Sequence, residues 1–321
     1  MKYIRFTCST LLLLAVVALA PSAWGWGCKG HQVIALIAEK NLDAHARSMA
    51  MQILAASPIS PELRRYCGNS GLDPFADSST WADDERSVKP DTGGWHYIDI
   101  PLGVSHGDIS NYCPPSTGCV TSAITAQLAV LRNPDASPQE RADALRYVIH
   151  FVGDMHQPLH TTTNNDSGGN CVPVTFEGRA PEETNAEWGT YRPNLHAVWD
   201  TDIIEHFTRG ETPEQVADEL ESKFKAQIAV WKSQPVDIDA WVWQSHRIAE
   251  DAVYGRLPVK VPVEKPEEVK SCSADDHVSG RMLNLHEQLD SSYDTAAAAA
   301  IQEQLTKAGV RLADILNSLW P

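Results

Sequence analysis

The sequence predicts an all-α protein. Three observations carry that expectation: apolar residues recur at helical spacing along most of the 321 residues, period-two alternation is confined to two short stretches, and helix-start signals precede the long periodic runs. The spacing predicts helices over 30–54, 121–132, 138–155, 195–207, 213–231, 238–254 and 293–319. Ser137-Pro138 is an N-cap followed by proline at the first helical position, and Asn194 is a plausible cap for the fourth helix. The alanine run in "TAAAAAIQ" is strong helix former rather than low complexity. Strand signal lies in "VPVTFEG" (172–178), with "WHYIDI" (95–100) a second candidate, so a small β-hairpin is expected. Residues 57–94 and 161–193 read as long polar connections. No internal repeat and no linker separates two cores, so 26–321 is expected to be one helical domain with long loops.

The first 25 residues read as a signal peptide. Lys2 and Arg5 form a positive n-region, 11–19 is a short apolar run, and Ala23-Trp24-Gly25 is a small-x-small cleavage site. The mature N-terminus is therefore expected at Trp26, in a secreted or periplasmic protein with no transmembrane segment. Cys8 leaves with the leader, and six cysteines remain: Cys28, Cys67, Cys113, Cys119, Cys171 and Cys272. An even number in an exported chain favours disulfides. Cys113 and Cys119 are close enough to staple one loop, whereas the other pairings are not readable.

Loss of Lys2 and Arg5 leaves 24 basic against 42 acidic residues, a formal charge of −18. That balance argues against phosphate-tracking duplex binding, which needs clustered Lys and Arg. An anionic substrate must be held by something other than a basic surface.

The stretch "IHFVGDMHQPLH" (149–160) supplies a candidate. His150 and Asp154 are four apart and share one helix face. Pro158 breaks the ladder and lets His160 swing back toward them. The pattern recurs in "NLHAVWDTDII", where His196 and Asp200 are again four apart. One such pair would be an ordinary buried histidine hydrogen-bonded to a carboxylate. Two pairs plus His160 provide five ligands of the type zinc prefers, and Asp83 in "WADDER", His96 and Asp99 in "GWHYID" and His31 near Trp26 add to them. Several metal ions account for the set better than unrelated polar residues. His156, His246 and the tryptophans of "WVWQSH" match helix-packing positions, and His45, His106, His206, His277 and His286 have no partner pattern. "LHEQLD" lacks the second histidine of a zincin. Asn165-Asp166-Ser167 is a glycosylation sequon, meaningful only in a eukaryotic secretory host.

In order, "WGCKGHQ", "WADDER", "WHYIDI", "IHFVGDMHQPLH", "GGN", "NLHAVWD" and "GVRLADILN" resemble the zinc-dependent, single-strand-specific nucleases of fungi and plants (nuclease S-one/P-one type), relatives of bacterial zinc phospholipase C. The resemblance implies a helical fold of phospholipase C/nuclease type holding three zinc ions (Zn2+). One would take Asp83, His96, His150 and Asp154. A second, bridged by Asp154, would take His31 and the backbone amine and carbonyl of Trp26. The third would take His160, His196 and Asp200. Leader removal then frees the Trp26 amine, whose neutral form is the ligand. Asp83 is the implied base or water-orienting catalytic residue, with Arg86 as its cationic partner. Tyr97 would stack a nucleobase, and Asp99 and Asn170 would bind its edge. The implied activity is endonucleolytic hydrolysis of single-stranded DNA and RNA to 5′-phosphorylated products, with 3′-nucleotidase activity on nucleotides. A phospholipase C-type action on phospholipid headgroups is the alternative; "GGN" and Asp99 favour nucleic acid, and no amphipathic membrane-docking element is visible. A third reading is a secreted helical zinc-binding protein without catalysis.

Overall fold

A computed structural model describes residues 26–64, 66–68, 71–186, 188–265, 272 and 287–321; the expected leader at 1–25, His277 and His286 lie outside them. Twelve α-helices are named here among the described residues. They are α1 (Cys28–Asn41), α2 (Ala44–Ala56), α3 (Pro74–Ser78), α4 (Trp81–Glu85), α5 (Val120–Arg132), α6 (Pro138–Asp154), α7 (Leu195–Ala197), α8 (Ile203–Phe207), α9 (Pro213–Lys223), α10 (Lys225–Trp231), α11 (Ile238–Ile248) and α12 (Ser291–Leu319). The all-α expectation holds. No helix among the described residues is long and apolar enough to cross a membrane.

The long expected helices are interrupted for local reasons. The run 30–54 breaks after Asn41, because Asp43 caps a new helix by accepting from the Ala46 amide at 2.8 Å. The run 213–231 breaks at Phe224, whose φ of −100° and ψ of 16° end α9. The run 195–207 is continuous but widens into a π turn over Val198–Asp202, which carries Asp200. A second π turn, Ala249–Val253, follows α11. The polar connection 57–94 is not structureless: it holds α3, α4 and a 3-10 turn over Pro90–His96.

The strand expectation needs correcting in place. The hairpin is β2 (Glu182–Asn185) against β3 (Thr190–Arg192), antiparallel, inside the stretch read as loop. In "VPVTFEG", β1 (Val174–Phe176) pairs in parallel with the distant β4 (Glu287–Leu289). Of "WHYIDI", Trp95 and His96 close the 3-10 turn and only 97–100 run on without being a named strand; Ile98 donates to His160 O at 2.8 Å and Thr163 to Ile100 O at 2.9 Å.

The core centres on α12, started by Asp290, which accepts from the Ser292 and Tyr293 amides at 2.9 and 2.8 Å. Gly309 lets α12 lie directly on α1: a Cβ there would sit 2.6 Å from Ile37 Cβ. Arg311 is buried over the Trp241 ring at 4.8 Å and donates to His156 Nε2 at 2.9 Å. His156 Nδ1 donates to Val152 O at 2.7 Å, so this histidine is a neutral strut between α6 and α12. Burial first, then Arg311, holds its pKa well below the usual range. His246 packs similarly, against Thr161 O and Thr162 Oγ1 at 3.0 and 2.8 Å. His206, which has no partner in sequence spacing, contacts Asp294 at 2.8 Å and Glu177 at 3.2 Å.

Burial raises the half-buried Asp314 from its ordinary 3.8 to about 6, against Lys232 and Arg311. The folded chain keeps this proton to higher pH than the unfolded chain, so its contribution is complete below pH ~3.8 and is lost as pH rises through about 6. Asp314→Asn is therefore expected to raise Tm at neutral pH and to give no gain at the acidic end. Thermal melts across pH check this, and an equal gain at both ends would exclude titration as the cause.

Candidate metal centre

Helix α6 is the backbone of the site. Ser137 and Glu140 form its capping box, and the apolar face of residues 142–152 buries its last two turns against α1, α4 and α5. At that buried end His150 Nε2 lies 3.1 Å from Asp154 Oδ2, the i,i+4 contact expected from spacing. Helix α4 is held across it by Arg146, whose guanidinium sits 5.5 Å from the Trp81 ring. Asp83 thereby faces His150, at 3.8 Å.

Helix α1 crosses at Gly153. His31 stacks on the His150 ring with centroids 4.0 Å apart, and its Nε2 is 3.3 Å from Asp154 Oδ1. A Cβ on Gly153 would meet His31 Nδ1 at 2.9 Å, so only glycine admits the ring there. Trp26 is fully buried and donates from Nε1 to Gly153 O at 3.0 Å, while the Gly27 amide donates to Asp200 O at 2.8 Å. The chain at Trp26 is thus pinned between α6 and the π turn.

Three groups of buried donors result: His31, Asp83 and His150; His96, His150 and Asp154; His160, His196 and Asp200. His96 Nδ1 is 2.9 Å from Asp154 Oδ2, and His196 Nε2 is 3.1 Å from Asp200 Oδ2. His160 comes within 3.8 Å of Asp154 Oδ1 through a 3-10 turn, Pro158–His160. All nine residues implied as ligands therefore meet in one buried region.

Backbone carbonyls orient these rings. Nδ1 of His150, His160 and His196 faces Ser79 O, His96 O and Gly168 O at 2.7, 2.8 and 2.7 Å. A ring that donates from Nδ1 to a carbonyl presents an unprotonated Nε2, the form that ligates metal. Gln157 Nε2 donates to Asp200 Oδ1 at 2.5 Å and fixes that carboxylate. Gln157, Gly153 and these carbonyls escape sequence reasoning; Gln157 lies inside the histidine motif, but nothing in spacing marks it as a partner of Asp200.

The electrostatics favour a cation. Burial lowers His96 to about 4, but for His150 the carboxylates of Asp154 and Asp83 outweigh the same desolvation and raise it to about 9. The carboxylates demand positive charge here, which a proton or a divalent cation supplies. Both ring nitrogens of His31, Asp83 Oδ1, Asp154 Oδ1 and His96 Nε2 are buried and make no hydrogen bond. Unsatisfied donors and acceptors of these types, clustered and buried, fit metal ligation.

The S1/P1 Nuclease family model matches residues 26–321. The chain belongs to the S1/P1 nuclease family. It is a hydrolytic nuclease, a phosphodiesterase acting on nucleic acids. Among its relatives, Nuclease S1 of Aspergillus oryzae is 28% identical over 316 residues, covering 94% of each chain. Endonuclease 2 of Arabidopsis thaliana is 26% identical over 313 residues, 94% of this chain and 92% of its own. Nuclease P1 of Penicillium citrinum is 33% identical over 183 residues, 55% of this chain and 57% of its own.

In this S1/P1 nuclease the extended segment after His96 alternates inward and outward, so Tyr97 and Asp99 share the outer side while Ile98 and Ile100 are buried. Tyr97 is 39% exposed, at the rim. Asp99 is open to solvent at its surface, yet recessed enough that desolvation, then the Asp166 carboxylate, raise it to about 6. Asn170 is half-buried, and its side-chain amide donates to Ser167 O at 2.9 Å within its own loop. Arg86 Nη1 lies 3.5 Å from Asp83 Oδ1. The sequon is buried: Asn165 is 6% exposed with a φ of 57°, and its amide donates to Lys265 O. Attachment of a glycan at Asn165 is incompatible with this fold. Disulfides join Cys28–Cys67, Cys113–Cys119 and Cys171–Cys272, so the short staple is present and the two long pairings become visible.

Proposed function

We propose that this chain, exported and cleaved before Trp26, is a zinc enzyme that cuts single-stranded DNA and RNA internally to 5′-phosphorylated products and also acts on 3′-nucleotides. The observation that carries this reading is the Asp154 carboxylate. Its Oδ1 faces His31 at 3.3 Å and its Oδ2 faces His96 and His150 at 2.9 and 3.1 Å, so one buried group adjoins two donor sets. The assignment gives Asp83, His96, His150 and Asp154 to one zinc, Asp154, His31 and the Trp26 terminus to a second, and His160, His196 and Asp200 to a third. Zinc bound there would neutralise the phosphate, activate the attacking water and ease departure of the leaving oxygen.

The chain's own residues supply the rest. Asp83, with one unbonded buried oxygen, orients the attacking water and accepts its proton. Arg86 beside it turns its guanidinium toward charge developing on the phosphate. Tyr97 offers an outward ring on which a base stacks, with Asp99 and Asn170 binding its edge. A base must leave its duplex to lie there, which selects single strands.

The test measures zinc per chain and hydrolysis of single-stranded DNA, RNA, duplex DNA, a 3′-nucleotide and phosphatidylcholine, with and without chelator. Three zincs and at least ~tenfold preference for single strands are expected, since opening a duplex costs a few kcal/mol. Equal rates on duplex would overturn the single-strand reading. Preference for phosphatidylcholine would hand the site to the phospholipase alternative.

A further inference from the structure

A cleft of about 350 Å³ opens beside the centre, within the size range of ligand pockets. Its inner wall includes Trp26, His31, Asp83 and Asp200; its outer wall includes Tyr66 and Arg192. Tyr97 and Asp99 do not line it, so it is distinct from the rim assigned to the stacked base. The cleft therefore touches the donor sets from another direction.

Both outer residues are held in place by the fold. Tyr66 precedes Cys67, whose disulfide to Cys28 ties this loop to the first residue of α1, two positions after Trp26. Tyr66 is 40% exposed. Arg192 ends β3, the inner strand of the hairpin, and is open to solvent. Its guanidinium makes no ion pair with any described residue. Its neighbours differ: Arg179 pairs with Asp202 at 2.8 Å, and Lys29 in the same cleft is neutralised by Glu205 at 2.6 Å. In a chain of net charge −16, an exposed guanidinium with no ion pair among the described residues, lining a cleft with metal-capable carboxylates, is complementary to an anion.

We propose that this cleft is a second nucleotide subsite, in which Arg192 binds a phosphate flanking the scissile one and Tyr66 stacks the adjacent base. The assignment rests on the reading of the centre above. A strand bound at both Tyr97 and Tyr66 would meet the donor sets from each, since Tyr97 follows His96 and the cleft of Tyr66 is lined by His31, Asp83 and Asp200. The subsite is therefore engaged by polynucleotides and left out by small esters. Arginine suits it because its planar fork meets phosphate oxygens in pairs, and a tyrosine ring accepts any base by its π face.

The zinc-loaded enzyme is assayed on a single-stranded oligothymidylate of about eight nucleotides and on bis(p-nitrophenyl) phosphate, which reaches only the centre. Arg192→Gln and Tyr66→Ala are each expected to lower the ratio of kcat/KM on the two substrates about tenfold, through KM on the oligonucleotide. Arg192→Gln should also flatten the salt dependence of that KM by ~0.7 in log–log slope, one phosphate contact on a single strand. Tyr66→Phe should restore most of the ratio, because the ring remains. Parallel losses on both substrates, an unchanged ratio, or loss of bound zinc in the variants would overturn the subsite. Failure of the centre reading is seen separately, as an unmutated enzyme that lacks zinc or prefers duplex.

Discussion

Asp154→Asn is expected to remove two bound zincs together and to lower kcat/KM on single-stranded DNA by at least about a hundredfold. Loss of even an outer-shell partner costs ~10–100-fold in metal affinity or activity, and Asp154 is assigned as a direct, shared ligand. The amide keeps the volume of the carboxylate but carries no charge. His31 on one side and His96 and His150 on the other then face a neutral group at the distances of 3.3, 2.9 and 3.1 Å now spanned by carboxylate oxygens. The larger of the two carboxylate charges that raise His150 goes with it, leaving Asp83 alone, so the site's demand for a cation is weakened. Metal analysis of the purified variant decides the matter: retention of all the zinc, or loss of one ion alone, would show that Asp154 is no bridge. The group His160, His196 and Asp200 should keep its ion, since Gln157 and Gly168 O hold it independently.

Gly153→Ala carries the second large effect and runs against helix propensity. Alanine is worth ~1 kcal/mol over glycine inside a helix, so an exposed position would gain. Here the new Cβ would lie 2.9 Å from His31 Nδ1, 3.0 Å from His31 Cε1 and 3.3 Å from Ile34 Cδ1. His31 cannot swing aside cheaply, because its ring is buried and stacked 4.0 Å from His150. Overpacking of this kind costs ~1–3 kcal/mol, which outweighs the propensity gain. The expected result is a lower Tm together with loss of the zinc assigned to His31. A variant with higher Tm and full zinc would show that the α1–α6 crossing is looser than its geometry implies.

Much of the fold was legible because its signals are local. Ser137, Asp43 and the apolar faces at helical spacing sit within a few residues of what they control, although the unbroken apolar period around Asp43 masks its cap. Breaks at Phe224 and the π turn at Val198–Asp202 were not legible, since neither changes the apolar period enough to show. Strand β1 was found but not its partner: β4 lies more than a hundred residues away, and parallel pairing leaves no turn signal between them.

The sequence by itself determined the helical class and the pairs His150/Asp154 and His196/Asp200. These follow from i,i+4 geometry, which any helix imposes. Only the tertiary structure decided that Asp154 stands between His31 and His96, that carbonyls of Ser79, His96 and Gly168 set the ring tautomers, that Asn165 is buried, and that Arg192 lines one cleft with His31, Asp83 and Asp200. Those contacts join elements far apart in the chain. Their distances depend on where α1 crosses α6 and where the hairpin folds back, and no local period encodes a crossing point.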